Sequence, residues 1–468
     1  MSISRILING ELRSCSDSFS VINPATGEVF AQAPECDVQM LEAAVSGAHQ
    51  AFSSWQQDIS KRREALMAMA AKIQQHSAEI ANLLTLEQGK PLKQANSEVL
   101  ASVMQIQIAA NAEIPVEVLQ DNEQALIKVI RKPYGVVAAI TPWNYPVSIA
   151  MGKIATALVA GNTVVLKPSP FTPLSTLKIA ELIKDDFPAG VLNIICGSDP
   201  LGASLTAHPA IRKIDFTGSV ATGKKVAAAA APDLKRITLE LGGNDPAIVL
   251  ADADPQKVAK QLFWGAFTNS GQVCAAIKRI YVHESIKSDL EKALVSLAER
   301  TKVGNGLDAE TRLGPVNNKA QFDRIKELVS DVRETGGTVL AGGDVLNGEG
   351  YCYQNTIVTD VADSDRIVVE EQFGPVVPIL AYRDLDDAIA RANNSHFGLD
   401  ASIWSDNIDK AADVAVQMQT GTAWVNQHLA LTPLAPFGGS KWSGIGSING
   451  KWGLEGATEL QVINIKRL

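Results

Sequence analysis

Val136-Val-Ala-Ala-Ile-Thr-Pro-Trp-Asn-Tyr-Pro146 is the stretch that decides how this chain folds. Val136–Ile140 is apolar without alternation, the pattern of a strand covered on both faces. The strand cannot continue into Thr141–Pro146, because two prolines bracket a tryptophan and an asparagine and mark a loop. Four more short β-rich runs come after, separated by helical stretches: Thr163–Lys167, Val191–Ile195, Arg212–Phe216 and Arg236–Glu240. Strands alternating with helices are βαβ units, so the sheet is largely parallel with helices on both faces. Ligands of such sheets bind beyond the carboxyl ends of the strands. The segments to read closely are therefore Thr141–Pro146, Lys167–Ser169, Gly218–Gly223 and Glu240–Gly243.

Upstream, Leu41, Ala44, Val45, Ala48 and Phe52 fall on one helical stripe with Asp37 as N-cap. Leu66, Met69, Ala70 and Ile73 repeat that spacing after Ser60, and a third helix is predicted from about Leu92 to Glu113. Downstream of Asn244 the alternation resumes, with helices near Pro255–Phe267 and Ser285–Arg300 and a strand near Arg279–His283. A chain of 468 residues exceeds what a single core supports, so this is read as a second α/β domain. Pro115–Lys132 and Glu459–Leu468 read as exposed β-segments, and a partner subunit is one way to cover such edges.

Composition narrows the function classes. A formal charge of −9 and a pI near 5.3 argue against nucleic acid or an anionic membrane as main partner. No apolar run approaches ~20 residues, so no transmembrane helix is expected. Met1–Gly10 lacks the apolar core and cleavage site of a secretory leader. Five cysteines, an odd number, fit reduced thiols in a cytoplasmic protein. Cys15, Cys36, Cys196 and Cys352 lie far apart in sequence without metal-ligand spacing, and no metal site is expected.

Each candidate site residue has a bland alternative. Cys274 follows the polar, glycine-bearing stretch Asn269-Ser-Gly-Gln272, where substrate and backbone N–H groups can approach a nucleophile; otherwise it is a small buried residue before Ala275-Ala-Ile277. Gly218-Ser-Val-Ala-Thr-Gly-Lys-Lys225 opens an alanine-rich helix and reads as a phosphate cradle or a plain tight turn. Lys225 stands where a nucleotide-triphosphate loop needs a hydroxyl, and the Rossmann glycine fingerprint is absent. Glu240 ends an apolar strand and is either a buried base or an exposed strand end. Asn144 offers an amide to an oxyanion or ties a turn. Lys167 reaches a ribose or phosphate, or is solvated.

Taken together, Thr141-Pro-Trp-Asn-Tyr-Pro146, Lys167-Pro-Ser169, Phe216-Thr-Gly-Ser219 with Gly223, Leu239-Glu-Leu-Gly-Gly243, Gly271-Gln-Val-Cys274, Glu370-Glu-Gln-Phe-Gly-Pro375 and Pro436-Phe-Gly-Gly-Ser-Lys441 resemble the aldehyde dehydrogenase superfamily over nearly the whole chain. The resemblance implies an α/β fold of two parallel-sheet domains with a small β oligomerisation arm. Residues 1–114 and 134–242 would form the cofactor-binding domain, 243–445 the catalytic domain, and 115–133 with 446–468 the arm of a homodimer or homotetramer. By the same resemblance Cys274 attacks an aldehyde carbon, the Asn144 amide and the Cys274 N–H hold the oxyanion, Glu240 activates the water that hydrolyses the thioester, and Lys153 relays protons. NAD is the implied cofactor, with NADP also plausible. Its implied contacts are Ile140, Thr141, Pro142, Trp143, Lys167, Ser169, Gly218, Ser219, Gly223, Leu241, Gly242, Glu371 and Phe373.

Two positions depart from the family pattern. Pro170 stands three residues after Lys167, where many NAD-preferring relatives carry a glutamate that binds the adenosine 2′-hydroxyl; without it, NADP is not expected to be strongly rejected. Ile448 stands where many relatives have a second pocket glutamate. The matching substrate positions, Tyr145, Ile149, Gly152, Val273, Ala275, Leu431 and Phe437, are mostly apolar. No arginine lies between Asn426 and Pro436, no aromatic box is present there, and His428 is assigned to a loop hydrogen bond. A medium-sized neutral aliphatic or aromatic aldehyde is the expected substrate. The alternatives are a semialdehyde dehydrogenase, of succinic-semialdehyde or CoA-acylating type, and a catalytically silent binding protein of the same fold.

Overall fold

A computed structural model describes residues 4–346, 348 and 350–467. Met1–Ile3 and Leu468, at the extremities of the two terminal segments, lie outside the described residues. The first sheet runs Glu11–Arg13, Ile6–Ile8, Leu192–Ile194, Thr163–Lys167, Val136–Ile140, Ile211–Thr217, Arg236–Glu240, Gly444–Ile445. The strands from Leu192–Ile194 to Arg236–Glu240 are parallel. The parallel part starts in the middle at Val136–Ile140, winds outward to Leu192–Ile194, then jumps back to Ile211–Thr217 on the other side. That reversal opens a crevice at the carboxyl ends of Val136–Ile140 and Ile211–Thr217, where doubly wound sheets hold ligands. Register places Ile140 beside both Lys167 and Phe216, and Thr217 beside Glu240.

The second sheet runs Thr338–Ala341, Thr356–Thr359, Val376–Tyr382, Ile277–His283, Asp245–Val249, Asp400–Trp404, Thr422–Val425 and is parallel apart from its first strand. Each sheet buries its own core. Val137, Ala138, Val164, Val165, Ile194 and Ile214 anchor one, while Ile248, Val249, Ile280, Ile357, Ile379 and Ile403 anchor the other. Burial on both faces accounts for their unalternated β-branched runs.

Val38–Trp55 is a helix whose N-cap Asp37 accepts the Met40 N–H, as the pattern predicted. The next helix, Ile59–Gln75, starts before Ser60 because Asp58 caps it, and the third ends at Ala110, short of Glu113. A further helix, Ser77–Gln88, escaped the sequence reading. It buries Thr85, Glu87 and Gln88 along with Ile80, Ala81 and Leu84, which blurs its apolar stripe. Ala125–Pro133 and Thr458–Lys466 are both strands, as expected, but they pair with each other along their full length; Ala125–Pro133 is the middle strand, with Thr458–Lys466 and Glu117–Asp121 on either side. The short strand Gly444–Ile445 joins the first sheet although it falls within 243–445. Ser447, Ile448, Asn449 and Gly453, assigned to the arm, border a central cavity instead.

Candidate active site

The loop before Cys274 is built from an unusual backbone. The Pro255–Phe267 helix ends at Thr268, and Asn269, Ser270 and Gly271 come next with φ of 53°, 56° and 71°. Consecutive left-handed residues cost roughly 1–2 kcal/mol each for non-glycine side chains, so surrounding contacts must hold them. They do. Ser270 Oγ donates to Gly314 O at 2.6 Å, and Gln272 Nε2 donates to Asn269 O at 2.8 Å and to Pro315 O at 3.2 Å. Gln272 Oε1 accepts the Asn317 N–H at 2.8 Å, and the buried Lys278 Nζ donates to Gly271 O at 3.1 Å and Val273 O at 2.8 Å.

Cys274 opens into a cavity of about 440 Å³ between the two sheets. Asn144, Lys153, Glu240 and Cys274 all line it, as do Tyr145, Ile149, Gly152, Val273, Ala275, Leu431 and Phe437. The sequence-predicted catalytic and substrate-pocket residues therefore share one chamber. Asn144 Nδ2 donates to Gln272 O at 2.9 Å, which leaves its second amide proton for another acceptor. Glu240 is 4% exposed, and neither carboxylate oxygen has a partner among the described residues. Lys153 Nζ is paired with Asp215, and Lys213 Nζ donates to Thr238 Oγ1 at 2.7 Å. His428 Nε2 meets Ala275 O at 2.7 Å, and burial pulls its pKa down to about 3, so it is a neutral loop tie. The other cysteines do not line the cavity.

Burial governs the electrostatics here. It pushes the Glu240 carboxyl well above the usual range; Lys153 pulls it back, while Asp215 and Asp400 push it further up. The Cys274 thiol is also pushed up, first by burial and then by Asp400, Asp245, Glu240 and Glu371. A thiol so placed stays protonated until a base takes its proton.

The predicted cofactor residues gather on the carboxyl ends of the first sheet. Thr141 N–H donates to Lys167 O at 3.2 Å, and Gly218 N–H to Glu240 O at 3.1 Å, which locks the loops after Ile140 and Thr217 to their neighbours. Ser219 caps the Val220–Ala230 helix, whose Gly223 packs on Leu241. Lys224 and Lys225 point outward, Lys224 over the Trp442 ring at 3.6 Å. Lys167 is 3% exposed, yet the only hydrogen bond of its ammonium among the described residues is a 3.5 Å approach to Pro168 O. A Cβ on Gly242 would run into the Glu371 carboxylate, so glycine there is what lets that side chain approach the loop. Phe373 stands edge-on to Trp143 with centroids 5.2 Å apart. Pro142 and Ser169 flank the same loops.

Two parallel sheets meeting at a chamber with a thiol, an amide and an unpartnered carboxylate place the chain among the two-sheet α/β enzymes. The model of the aldehyde dehydrogenase family matches residues 12–463. Retinal dehydrogenase 2 of Gallus gallus is 40% identical over 480 residues, covering 99% of this chain and 92% of its own. The NAD+ complex of an aldehyde dehydrogenase from Bacillus cereus superposes with a TM-score of 0.97 at 37% identity, covering 99% of this chain and 97% of that one. An NADP dependent enzyme of E. coli gives 0.96 at 34% identity, with 99% and 98% covered. This chain belongs to the aldehyde dehydrogenase family and is an enzyme of that class.

Sequence reasoning missed Asp215, Lys213, Lys278, Lys90 and Glu98, all of which touch the cavity or its walls. Lys213 and Asp215 had a legible signal, since two ionisable residues two apart share one face of a strand in a sheet buried on both sides. The loop geometry is open to test. A Cβ on Gly271 would collide with the Gly374 carbonyl oxygen, at a φ of 71° that already disfavours any other residue. Gly271→Ala is expected to lower turnover at least about tenfold by displacing Cys274, since small misplacements of reacting groups are costly. Steady-state rates on folded protein check this; wild-type turnover would show that the loop absorbs the shift.

Proposed function

We propose that this enzyme oxidises a medium-sized neutral aliphatic or aromatic aldehyde to its carboxylic acid with NAD or NADP, by covalent catalysis at Cys274. The observation that carries the reading is the meeting of a thiol, a free amide proton and a partnerless buried carboxylate in one cavity. As Cys274 Sγ bonds to the aldehyde carbon, its proton leaves to Glu240, and the carbonyl oxygen becomes an oxyanion held by the Asn144 amide and the Cys274 N–H. Hydride acceptance from the hemithioacetal carbon is the chemistry that the dinucleotide supplies when bound. Before the second half Glu240 gives that proton up to solvent; it then takes one from water, the hydroxide adds to the thioester carbonyl and expels the Cys274 thiolate, and Glu240 returns the proton to that sulfur as the acid leaves. Lys153 stands beside this exchange as a proton-carrying group.

The residues present fit a dinucleotide. A buried ammonium short of acceptors, Lys167, suits ribose hydroxyls, and Glu371 complements it from the other sheet. Ser219 and the N-terminus of the Val220–Ala230 helix suit the pyrophosphate. Ile140, Thr141, Pro142, Trp143, Leu241, Gly242 and Phe373 border the nicotinamide end. Pro170 brings no carboxylate against a 2′-phosphate, so both dinucleotides are accepted. For substrate, no arginine lines the cavity among the described residues, and its cations are engaged by Asp215 and Thr238, which disfavours a distal carboxylate.

Residues 1–114 with 134–242 are taken as the cofactor-binding unit and 243–445 as the catalytic unit. The arm strands expose Val118, Leu119, Leu460 and Val462, an apolar edge we assign to a second copy of the chain. Val462→Asp should shift the sedimentation coefficient toward the monomer, and an unchanged assembly would remove the arm from the interface.

Turnover is measured as reduced-nicotinamide absorbance with NAD and NADP over aliphatic, aromatic and carboxy-aldehydes. Cys274→Ala is expected to lose at least about 10³ in rate; activity surviving that change, or appearing only when CoA is added, overturns the hydrolytic mechanism. The base also has a pH signature. Glu240 must be ionised to work, so the rate falls as pH drops through its raised pKa. Asp215 is one of the charges raising it, so Asp215→Asn should move that acid limb to lower pH. A limb that stays put would exclude Asp215 from the proton-handling group.

A further inference from the structure

The loop bearing Asn144 lacks a cap of its own. Tyr145, at the N-cap of the Pro146–Val159 helix, has φ −132° and ψ 63° and makes no capping hydrogen bond, so the first N–H groups of that helix need acceptors from elsewhere. Glu98, on the Leu92–Ala110 helix, supplies them: its Oε1 accepts the Val147 N–H at 3.0 Å and the Ser148 N–H at 3.2 Å. Its Oε2 accepts from Lys90 Nζ at 2.5 Å, both side chains being 1% exposed. Lys90 Nζ also donates to Asn144 O at 2.8 Å and lies 3.8 Å from the centroid of the Tyr145 ring.

The backbone around Asn144 is therefore gripped on both sides by one ion pair. The cation takes the carbonyl of Asn144, and the carboxylate takes the N–H groups three and four residues further on. Lys90 is itself pinned, because Leu92 N–H donates to Gly306 O at 2.9 Å and Asn317 Nδ2 donates to Glu87 O at 3.0 Å, tying this segment to loops of the second sheet. A buried ion pair is weak evidence for stability, since desolvation offsets much of its attraction. Its geometry is what the site uses, because both charges spend their remaining hydrogen bonds on the Asn144 loop.

We propose that Lys90 and Glu98 are positioning residues for the reaction: their pair fixes the Asn144 peptide so that the free amide proton faces the aldehyde oxygen. This rests on Asn144 being the oxyanion donor. Neither residue exchanges a proton with the substrate in this role, and no change in the nucleophile is needed.

The test is a double-mutant cycle on the full-length enzyme, with Lys90→Met, Asn144→Ala and the pair. Three readouts are taken: kcat and KM with benzaldehyde and NAD, hydrolysis of p-nitrophenyl acetate, and alkylation of Cys274 by iodoacetamide. The first two reactions develop an oxyanion and the third does not. Lys90→Met alone should lower kcat and ester hydrolysis by about ten- to a hundredfold, within the range for losing an oxyanion donor. Added to Asn144→Ala it should cost less than about threefold more, because the group it positions is gone. KM for NAD and the alkylation rate should stay within about twofold. Additive losses in the pair, or alkylation falling in step with turnover, overturn the proposal. Near-wild-type kcat in Asn144→Ala alone sinks the oxyanion reading itself. Should Lys90→Met fail to fold, Glu98→Gln goes through the same cycle under the same criteria.

Discussion

The two sheets are joined where the chemistry is proposed by the hydrogen bond from Asn144 Nδ2 to Gln272 O, 2.9 Å, which Asn269 Nδ2 reinforces by donating to Asn144 O at 3.2 Å. One partner hangs from the loop after Val136–Ile140 of one sheet, the other from the loop before Ile277–His283 of the other. A bond between two loops is worth only about 0.5–1.5 kcal/mol, so it cannot define the site unless both loops are already rigid. Gln272 is rigid because its side chain is satisfied at both ends and Asn269, Ser270 and Gly271 turn left-handed into it. Asn144 is rigid because its carbonyl accepts from both Lys90 Nζ and Asn269 Nδ2. Asn269 thus touches both loops, donating also toward Gln272 O at 3.4 Å. The seam between the two sheets is held by buried polar groups that find partners across it.

The same burial sets the electrostatic character of the chamber. Asp245 and Asp400 lie beneath Cys274, the Asp400 N–H donating to Asp245 Oδ1 at 3.1 Å, and burial drives the Asp400 carboxyl up to about 8. Burial likewise pushes the Asp245 carboxyl above its ordinary range, which lessens the negative charge on this side of the site. Lys278 offsets what remains, sitting among Glu371, Asp245 and Cys274 while burial pulls its own pKa down. It lies 5.0 Å from the centroid of the Phe373 ring, and this one cation links the nucleophile's loop to residues read as cofactor contacts.

Much of this was legible in the sequence where chemistry and periodicity coincide. Val136–Ile140, Thr163–Lys167, Arg236–Glu240 and the helix Pro255–Phe267 have the bounds read from sequence, because runs of buried β-branched residues and a proline after an Asp N-cap are local signals. The roles proposed for Cys274, Asn144 and Glu240 came from motif constellation, since for each taken alone the bland reading was the better one. What was not legible is long-range. Lys90 and Glu98 are eight residues apart, straddle a helix start, and meet beside the next helix, whose start Tyr145 leaves uncapped; no period or composition announces that. Lys278 sits next to Arg279 in a buried strand, where polarity signals an edge and yet both are satisfied by carbonyls. Ser77–Gln88 was missed for a related reason, as Glu87 is buried by accepting Leu174 N–H, Ser175 N–H and Ser175 Oγ.

Ile448 shows how a departure from the family pattern is absorbed. Its backbone pairs with Phe437 in both directions, at 2.7 and 3.0 Å, and its side chain joins Val273, Ala275, Phe437 and Tyr145 in the apolar cluster around Cys274. A carboxylate there would face a chamber that already holds Glu240 and Asp215, and a third like charge would push Glu240 further from ionisation. Asp215 reaches Lys153 from the sheet, on a strand rather than on the 446–449 turn. The cavity wall then carries two lysines, Lys153 and Lys213, against the carboxylates of Asp215 and Glu240, a third carboxylate, Glu98, being engaged by Lys90, with an aliphatic group filling the remaining side. Placing the second carboxylate on the rigid strand leaves the turn free to be apolar, and an apolar turn over the thiol is what a neutral aldehyde would pack against.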